Sequence, residues 1–175
     1  MNKCVRGNPN LCMGCRTCLI ACVEAHCDRP VFELKPEDIC FNPKLHMIKS
    51  YDVTVPFQCR HCETPECMKV CKKGAIYHDE DRILIDFDKC DGCGECKDAC
   101  PFGAIDMTYH YGVTDEDGNG KLLPNKCDLC KNVPGGPQCV NVCPTQALSV
   151  VENSDIEQKV MDKRLGKLLK ESNDR

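Results

Sequence analysis

The apolar residues of this chain cluster in short segments separated by polar turns, with no long periodic stretch before residue 150. Segments of this length and pattern predict short β-strands and hairpins. The predicted strands are Leu45–Ile48, Val53–Val55, Ile76–Tyr77, Ile83–Asp86, Ile105–Met107 and Leu148–Val151. We expect Ile76–Tyr77 to pair with Ile83–Asp86 across the polar turn His78–Asp81. The pattern therefore predicts a small, loop-rich α+β protein.

One segment near the C-terminus has helical periodicity instead. Ser154–Glu157 has the sequence of a capping box, which opens a helix. Four apolar residues then fall on one face about 100° wide: Met161, Leu165, Leu168 and Leu169. We expect an amphipathic helix within residues 153–175. A helix of about 17 residues is marginal alone, so this face should pack on its own domain, on another subunit or on a second copy of the chain.

Composition shows that apolar burial alone cannot hold this fold. The chain has 175 residues, of which 19 are Cys, with five Phe, four Tyr and no Trp. So many cysteines in a short chain indicate either a secreted disulfide scaffold or a metal protein. The odd number of cysteines, and the lack of a signal-peptide pattern or a long apolar stretch, favour metal and a cytoplasmic location without a membrane span.

Charge argues against a nucleic-acid partner. The formal net charge is −4, and the Lys and Arg residues are scattered along the chain. No hydrolytic or hydride-transfer motif is present, and Asp117–Gly120 lacks the strand–helix context of a nucleotide-binding loop. We therefore expect a protein with no catalytic site of its own.

Sixteen of the 19 cysteines fall into four runs of four. The runs are Cys12, Cys15, Cys18 and Cys22; Cys59, Cys62, Cys67 and Cys71; Cys90, Cys93, Cys96 and Cys100; and Cys127, Cys130, Cys139 and Cys143. The third run, which Pro101 follows, has the C-x2-C-x2-C-x3-C-P spacing of bacterial ferredoxins. A loop with Cys at every third residue supplies three ligands to a cubane. The fourth Cys, expected to begin a helical stretch, serves another cluster, so the runs would work in pairs and suffice for four 4Fe–4S clusters.

Structural zinc and disulfides are the alternative explanations. Zinc with bonds of about 2.3 Å requires sulfurs roughly 3.8 Å apart. It does not explain a third Cys at the same short step, Pro101, or the Gly-Ala-Ile sequences after the second and third runs. We therefore favour iron–sulfur clusters.

Several residues that could act as ligands lie outside this scheme. Cys4, Cys27 and Cys40 are expected to be small buried apolar residues, with spare ligands or redox sensors as the alternative. His61 lies inside the second run, which already has four cysteines, so we expect it behind the ligands or at the surface.

The four runs resemble the four-cluster ferredoxin-like subunits of molybdopterin oxidoreductase complexes. The resemblance rests on the x2-x4-x3 spacing of the second run and on the KCDLC sequence from Lys126 to Cys130, and it covers residues 1 to about 152. The chain is most similar to the small cytoplasmic subunits of formate hydrogenlyase and hydrogen-dependent carbon dioxide reductase. The resemblance implies two bacterial-ferredoxin-like modules in residues 1–152, an inner one (about 50–113) inserted in an outer one (about 1–49 with 114–152).

The resemblance also implies which cysteines share a cluster. One cluster would use Cys12, Cys15, Cys18 and Cys143, and a second Cys127, Cys130, Cys139 and Cys22. A third would use Cys59, Cys62, Cys67 and Cys100, and the last Cys90, Cys93, Cys96 and Cys71.

The implied function is to relay single electrons between catalytic subunits. The partners would be a molybdenum- or tungsten-pterin subunit of formate dehydrogenase type and a hydrogenase subunit. A free, diffusible polyferredoxin that serves several enzymes is the alternative, and a cluster-delivery factor is a third. Four clusters would bring the charge of the oxidised chain to about −12, so basic partner surfaces are expected.

Overall fold

The strands and helices of the fold are short. The computed structural model describes residues 2–27, 29–35, 41–114, 118–152, 155, 158 and 161–165. The strands among these residues are β1 (Lys3–Gly7), β2 (Leu45–Lys49), β3 (Thr54–Gln58), β4 (Ile76–Asp79), β5 (Arg82–Ile85), β6 (Asp106–Thr114), β7 (Gly120–Asn125) and β8 (Leu148–Glu152). The helices are α1 (Thr17–Glu24), α2 (Glu66–Lys69), α3 (Glu95–Asp98) and α4 (Gln138–Asn141), with a 3₁₀ turn at Val31–Glu33.

The strands form four separate antiparallel pairs: β1 with β8, β2 with β3, β4 with β5 and β6 with β7. The predicted pairing of Ile76–Tyr77 with Ile83–Asp86 is confirmed, with Tyr77 opposite Leu84. The remaining predicted segments overlap strands, although Val53 and Ile105 lie just before β3 and β6. The β1–β8 pair joins segments far apart in sequence, with Val5 opposite Val150.

The helices correct one detail of the sequence interpretation. The helical turn does not begin at the fourth Cys of each run, because α2, α3 and α4 already contain the third Cys and end before the fourth. In the first run, α1 contains both Cys18 and Cys22. In the second, third and fourth runs, the helical turn thus lies between the third Cys and the fourth.

Cysteines take part in both clusters of buried residues. The first cluster is formed by Val5, Cys18, Cys22, Leu45, Leu129, Cys139 and Leu148. The second is formed by Cys67, Ile76, Ile83, Cys96 and Ile105. Leu129 and Leu148 pack with the cysteines of α1 and α4, whereas Ile76 and Ile83 pack with those of α2 and α3. The fold therefore surrounds two groups of cysteines rather than one apolar centre.

The predicted C-terminal helix is described in part. Residues 155, 158 and 161–165 are helical, and Met161 and Leu165 are about half exposed. Leu168 and Leu169 lie outside the described residues, as does Cys40. No described helix has the length and apolar character needed to cross a membrane.

Candidate iron–sulfur sites

Two cavities are each lined by four cysteines, three from one run and one from another. The first, of about 300 Å³ including space open to solvent, is lined by Cys12, Cys15, Cys18 and Cys143. The second, of about 340 Å³ by the same measure, is lined by Cys90, Cys93, Cys96 and Cys71. The fourth Cys of each run is separated from the loop of its own run by the helical turn that contains the third Cys.

Burial raises the pKa of several other cysteines of the runs. Burial raises the pKa of the Cys139 thiol to about 12, and its neighbours Cys22 and Cys130 raise it as well. Burial likewise raises the pKa of Cys62, with contributions from Cys59 and Cys100. Buried thiols of this kind remain protonated and inert unless a cationic metal core holds them as thiolates.

The spacing of the sulfurs does not fit a single zinc ion. Within the described part of the chain, one group of three possible ligand atoms lies within 4.8 Å of one another, formed by His26, Asp128 and Cys130. No three cysteine sulfurs there lie that close. A cubane places an iron behind each thiolate and so requires a wider set of sulfurs. The eighteen described cysteines are all free of disulfides. The donor set therefore fits iron–sulfur clusters.

Backbone N–H groups point at several of these sulfurs. In the second and fourth runs, the N–H two residues after the first Cys donates to its sulfur, His61 to Cys59 and Leu129 to Cys127, both at 3.4 Å. After the fourth Cys of the third and fourth runs, the N–H four residues later donates to its sulfur. These are Ala104 to Cys100 at 3.4 Å and Ala147 to Cys143 at 3.2 Å. Such bonds stabilise a thiolate ligand and tune the potential of its cluster.

His61 has a buried donor with no protein acceptor. Its side chain is 1% exposed, and its Nδ1 accepts the backbone N–H of Ile83 at 2.9 Å. Burial and the nearby Lys126 ammonium lower the pKa of His61 to about 3. A neutral ring that accepts at Nδ1 carries its proton on Nε2. That Nε2 has no partner among the described residues. A cluster sulfur in the Cys59–Cys62 loop would supply the acceptor. His61 is thus buried behind the ligands and not at the surface.

A polar network that the sequence did not predict surrounds Cys22. The Asp128 carboxylate binds His26 Nε2 and Lys44 Nζ, each at 3.0 Å. His26 Nδ1 lies 2.6 Å from the carbonyl of Cys22, and the Lys44 backbone N–H donates to its sulfur at 3.2 Å. Lys44 lies in the connector between the first two runs, and no motif in the sequence there indicates a role for it. Asp128 could have been singled out from its place between two cysteines.

Comparison with known proteins identifies the family to which the chain belongs. A family model described as "4Fe-4S dicluster domain" matches residues 51–153, and one described as "4Fe-4S binding domain" matches residues 9–23. The chain belongs to the 4Fe–4S dicluster family. Its cofactors are therefore 4Fe–4S clusters, as the spacing of the runs predicts.

Several relatives match most of the chain. The "Electron transport protein HydN" of Escherichia coli (strain K12) is 37% identical over 171 residues, which cover 94% of this chain and 96% of the relative. "Hydrogenase-4 component A" of the same organism is 31% identical over 191 residues, covering 94% of this chain and 89% of the relative. The "Putative electron transport protein YsaA", also of this organism, is 33% identical over 159 residues, covering 90% of this chain and 95% of the relative.

Proposed function

We propose that the chain is an electron-transfer subunit that holds four 4Fe–4S clusters and passes single electrons from one to the next. The observation that carries this proposal is the pair of cavities lined by three cysteines of one run and one of another. Each cluster supplies a core that takes up one electron and returns it. The chain's own residues hold the core, exclude water and tune its potential.

The proposed ligand sets are those implied by the family resemblance. The cavities support two of them: the set of Cys12, Cys15, Cys18 and Cys143, and the set of Cys90, Cys93, Cys96 and Cys71. The mutual electrostatic influence of Cys139, Cys130 and Cys22 supports the set completed by Cys127. That of Cys62, Cys67, Cys59 and Cys100 supports the last.

We further propose that these sets belong to two modules, with the inner module (about 50–113) inserted in the outer one. Helix α1 contacts α4, and β1 pairs with β8, which supports an outer module built from both ends of residues 1–152. Helix α2 contacts α3, and β4 pairs with β5, which supports an inner module.

The accessibility of the ligands supports a relay with two ends. Cys15 and Cys93 are exposed, whereas Cys67 and Cys139 are buried. In the proposed sets, the exposed cysteines belong to one cluster of each module. Electrons would enter at one exposed cluster, cross the two buried ones and leave at the other.

The proposed partners are a hydrogenase subunit and a molybdenum- or tungsten-pterin subunit of formate dehydrogenase type, in the reducing cytoplasm. Relatives named as an electron transport protein and as a hydrogenase component support the hydrogenase side. The apolar face with Met161 and Leu165, about half exposed, is a candidate contact for a fixed partner.

The cluster content is tested on anaerobically purified full-length protein. We expect about sixteen iron and sixteen sulfide per chain, with reduced-cluster EPR that integrates to about four spins. Stoichiometric zinc would refute the proposal. On gel filtration of a native lysate, the chain should elute in a larger complex, whereas a monomer would favour a diffusible carrier.

The ligand sets are tested by paired substitutions. Cys18→Ser and Cys143→Ser should alter the same EPR signal, and Cys139→Ser and Cys22→Ser should both alter a different one. Cys4→Ser is the matched control, because Cys4 is buried in β1 outside the runs. If Cys143→Ser reproduced the effect of Cys139→Ser, the proposed exchange of fourth ligands would be wrong.

A further inference from the structure

Lys126, the residue before the fourth run, is a buried cation. It is 4% exposed, although lysine is almost never fully buried without a partner. Its ammonium donates to the backbone carbonyl of Ile83 and, at 2.9 Å, to that of Cys127. Both acceptors are neutral, so these bonds position the charge without cancelling it.

The Ile83 peptide fixes where this charge lies. In β5, Ile83 stands opposite His78, and its N–H and C=O are both taken by side chains from elsewhere. The N–H donates to Nδ1 of His61, and the C=O accepts from Lys126. The Lys126 ammonium is therefore held between the loop of the second run and the start of the fourth.

Cysteines of two different proposed clusters lie next to this charge. Cys127 follows Lys126 directly and accepts its hydrogen bond through the carbonyl. Cys67 belongs to the other set. Cys67 packs in one cluster of buried residues with Ile83, whose carbonyl holds the Lys126 ammonium. Salt screens a buried charge little, so Lys126 acts on both sites.

The charge has no counter-ion among the described residues. Within the described part of the chain, no carboxylate oxygen lies within 4.0 Å of the Lys126 ammonium, whereas Lys3, Lys44 and Lys131 each have one. An unpaired buried charge is costly. A 4Fe–4S core with four thiolates has a net negative charge, so clusters on either side would neutralise the ammonium.

We propose that Lys126 is the shared counter-cation of the two buried clusters and raises the reduction potential of both. The inference rests on the proposed ligand sets. Reduction adds one electron to a cluster core, with no bond broken and no proton required. Because the Lys126 ammonium is buried beside both proposed sites, its positive charge stabilises the reduced form of each cluster. One side chain would thereby raise the reduction potentials of two neighbouring clusters at the same time.

The test is a redox titration of the full-length holoprotein with dithionite, followed by EPR. Lys126→Gln keeps a hydrogen-bond donor and removes the charge. We expect the reduction equilibrium constants of two clusters to fall at least tenfold, which is about 59 mV for a one-electron couple. The other two clusters should not shift. Lys126→Arg keeps the charge and should restore both potentials.

A matched control is Lys72→Gln. Lys72 also neighbours a cysteine of a run, but its side chain is 81% exposed and its ammonium pairs with Glu95 at 2.6 Å. Solvent screens such a charge, so we expect all four potentials to stay within error of wild type. A Lys126→Gln protein with unchanged potentials, or with one or all four shifted, would overturn the proposal.

The number of 4Fe–4S clusters that each protein holds distinguishes a failure of this inference from a failure of the proposed function. If wild-type protein lacks four clusters, the function fails whatever Lys126 does. If Lys126→Gln does not load, Lys126→Met, of similar length, is titrated instead. If no neutral variant holds the two buried clusters while Lys126→Arg holds all four, the charge is needed for them to form, which supports a counter-cation. Failure of Lys126→Arg to load them as well would count against it.

Discussion

The side-chain amide of Asn2 donates to the carbonyl of His61 at 2.7 Å. The same amide donates to the carbonyl of Cys62 at 3.0 Å, and Asn2 is buried. A residue before the first strand thus holds the loop of the second run. The backbone of that loop is strained, since His61 has a φ of 47°. Asn2 satisfies carbonyls that this conformation would otherwise leave without donors.

Asn2→Ala should weaken this loop. A buried acceptor at His61 and a partly buried one at Cys62 lose their donor, which costs about 1–3 kcal/mol. We expect a lower urea concentration for half-loss of the visible cluster absorbance, measured anaerobically. Asn132→Ala is the control, because Asn132 is exposed. Equal midpoints for Asn2→Ala and wild type would show that the amide has no structural role.

Gly92 and Gly94 form a matched pair inside the third run. Both have a left-handed φ, 80° and 81°. A methyl group at Gly92 would collide with the carbonyl oxygen of Leu122, whereas at Gly94 it meets nothing within 4 Å. Gly94→Ala therefore costs only the backbone strain, about 1–2 kcal/mol, and should keep its clusters.

Gly92→Ala adds a clash with the backbone of β7. We expect it to lose the cluster at Cys90, Cys93, Cys96 and Cys71, with iron content falling by about four per chain. Iron analysis and EPR of the two variants measure the difference. Full iron in Gly92→Ala would mean that β7 moves aside at no cost.

Asp81, in the turn between β4 and β5, links this hairpin to β1. Lys3 donates its backbone N–H to the Asp81 carbonyl at 2.9 Å, and its ammonium lies 3.1 Å from the carboxylate. Burial acts to raise the pKa of Asp81, but hydrogen bonds from Lys3 and Arg82 prevail and lower it. A carboxyl whose folded pKa is depressed stabilises the fold above its unfolded pKa, and this stabilisation is lost as the pH falls through the folded value.

Asp81→Asn should therefore lose stability at pH 7 relative to wild type. The difference should stay constant down to about pH 5 and shrink below about pH 4. Anaerobic urea midpoints across this range measure it. A difference that grew as the pH fell would contradict the sign of the pKa shift.

Removing iron should unfold the chain. Cysteines of the proposed ligand sets belong to both clusters of buried residues that form the core. Sixteen thiols without metal cannot replace an apolar core. Under anaerobic chelation, far-UV circular dichroism should fall together with the visible absorbance. A retained native spectrum after complete iron loss would show that apolar packing is sufficient.

Local features of the fold were predictable from the sequence, and long-range ones were not. The Tyr77–Leu84 pairing follows from alternation across a short turn. The pairing of Val5 with Val150 does not, because nothing near either residue identifies the other.

The candidate sites divide in the same way. The spacing identified the cysteine runs as candidate ligands, because most ligands of one cluster lie close together in the sequence. It misplaced the helical turn by one cysteine, because helices of four residues have no periodicity to detect. It gave no sign that Lys126 is buried, because lysine is usually exposed and its partner Ile83 is 43 residues away.

The antiparallel pairing of β1 with β8 also affects the order in which parts of the chain can fold during synthesis. Strand β8 is synthesised about 140 residues after its partner β1, on the order of ten seconds at about 5–20 residues per second. The β4–β5 hairpin and the cysteines around it are complete well before that. With the proposed ligand sets, nascent chains should therefore complete the sites of the second and third runs first, while the first run waits for Cys143 of the fourth.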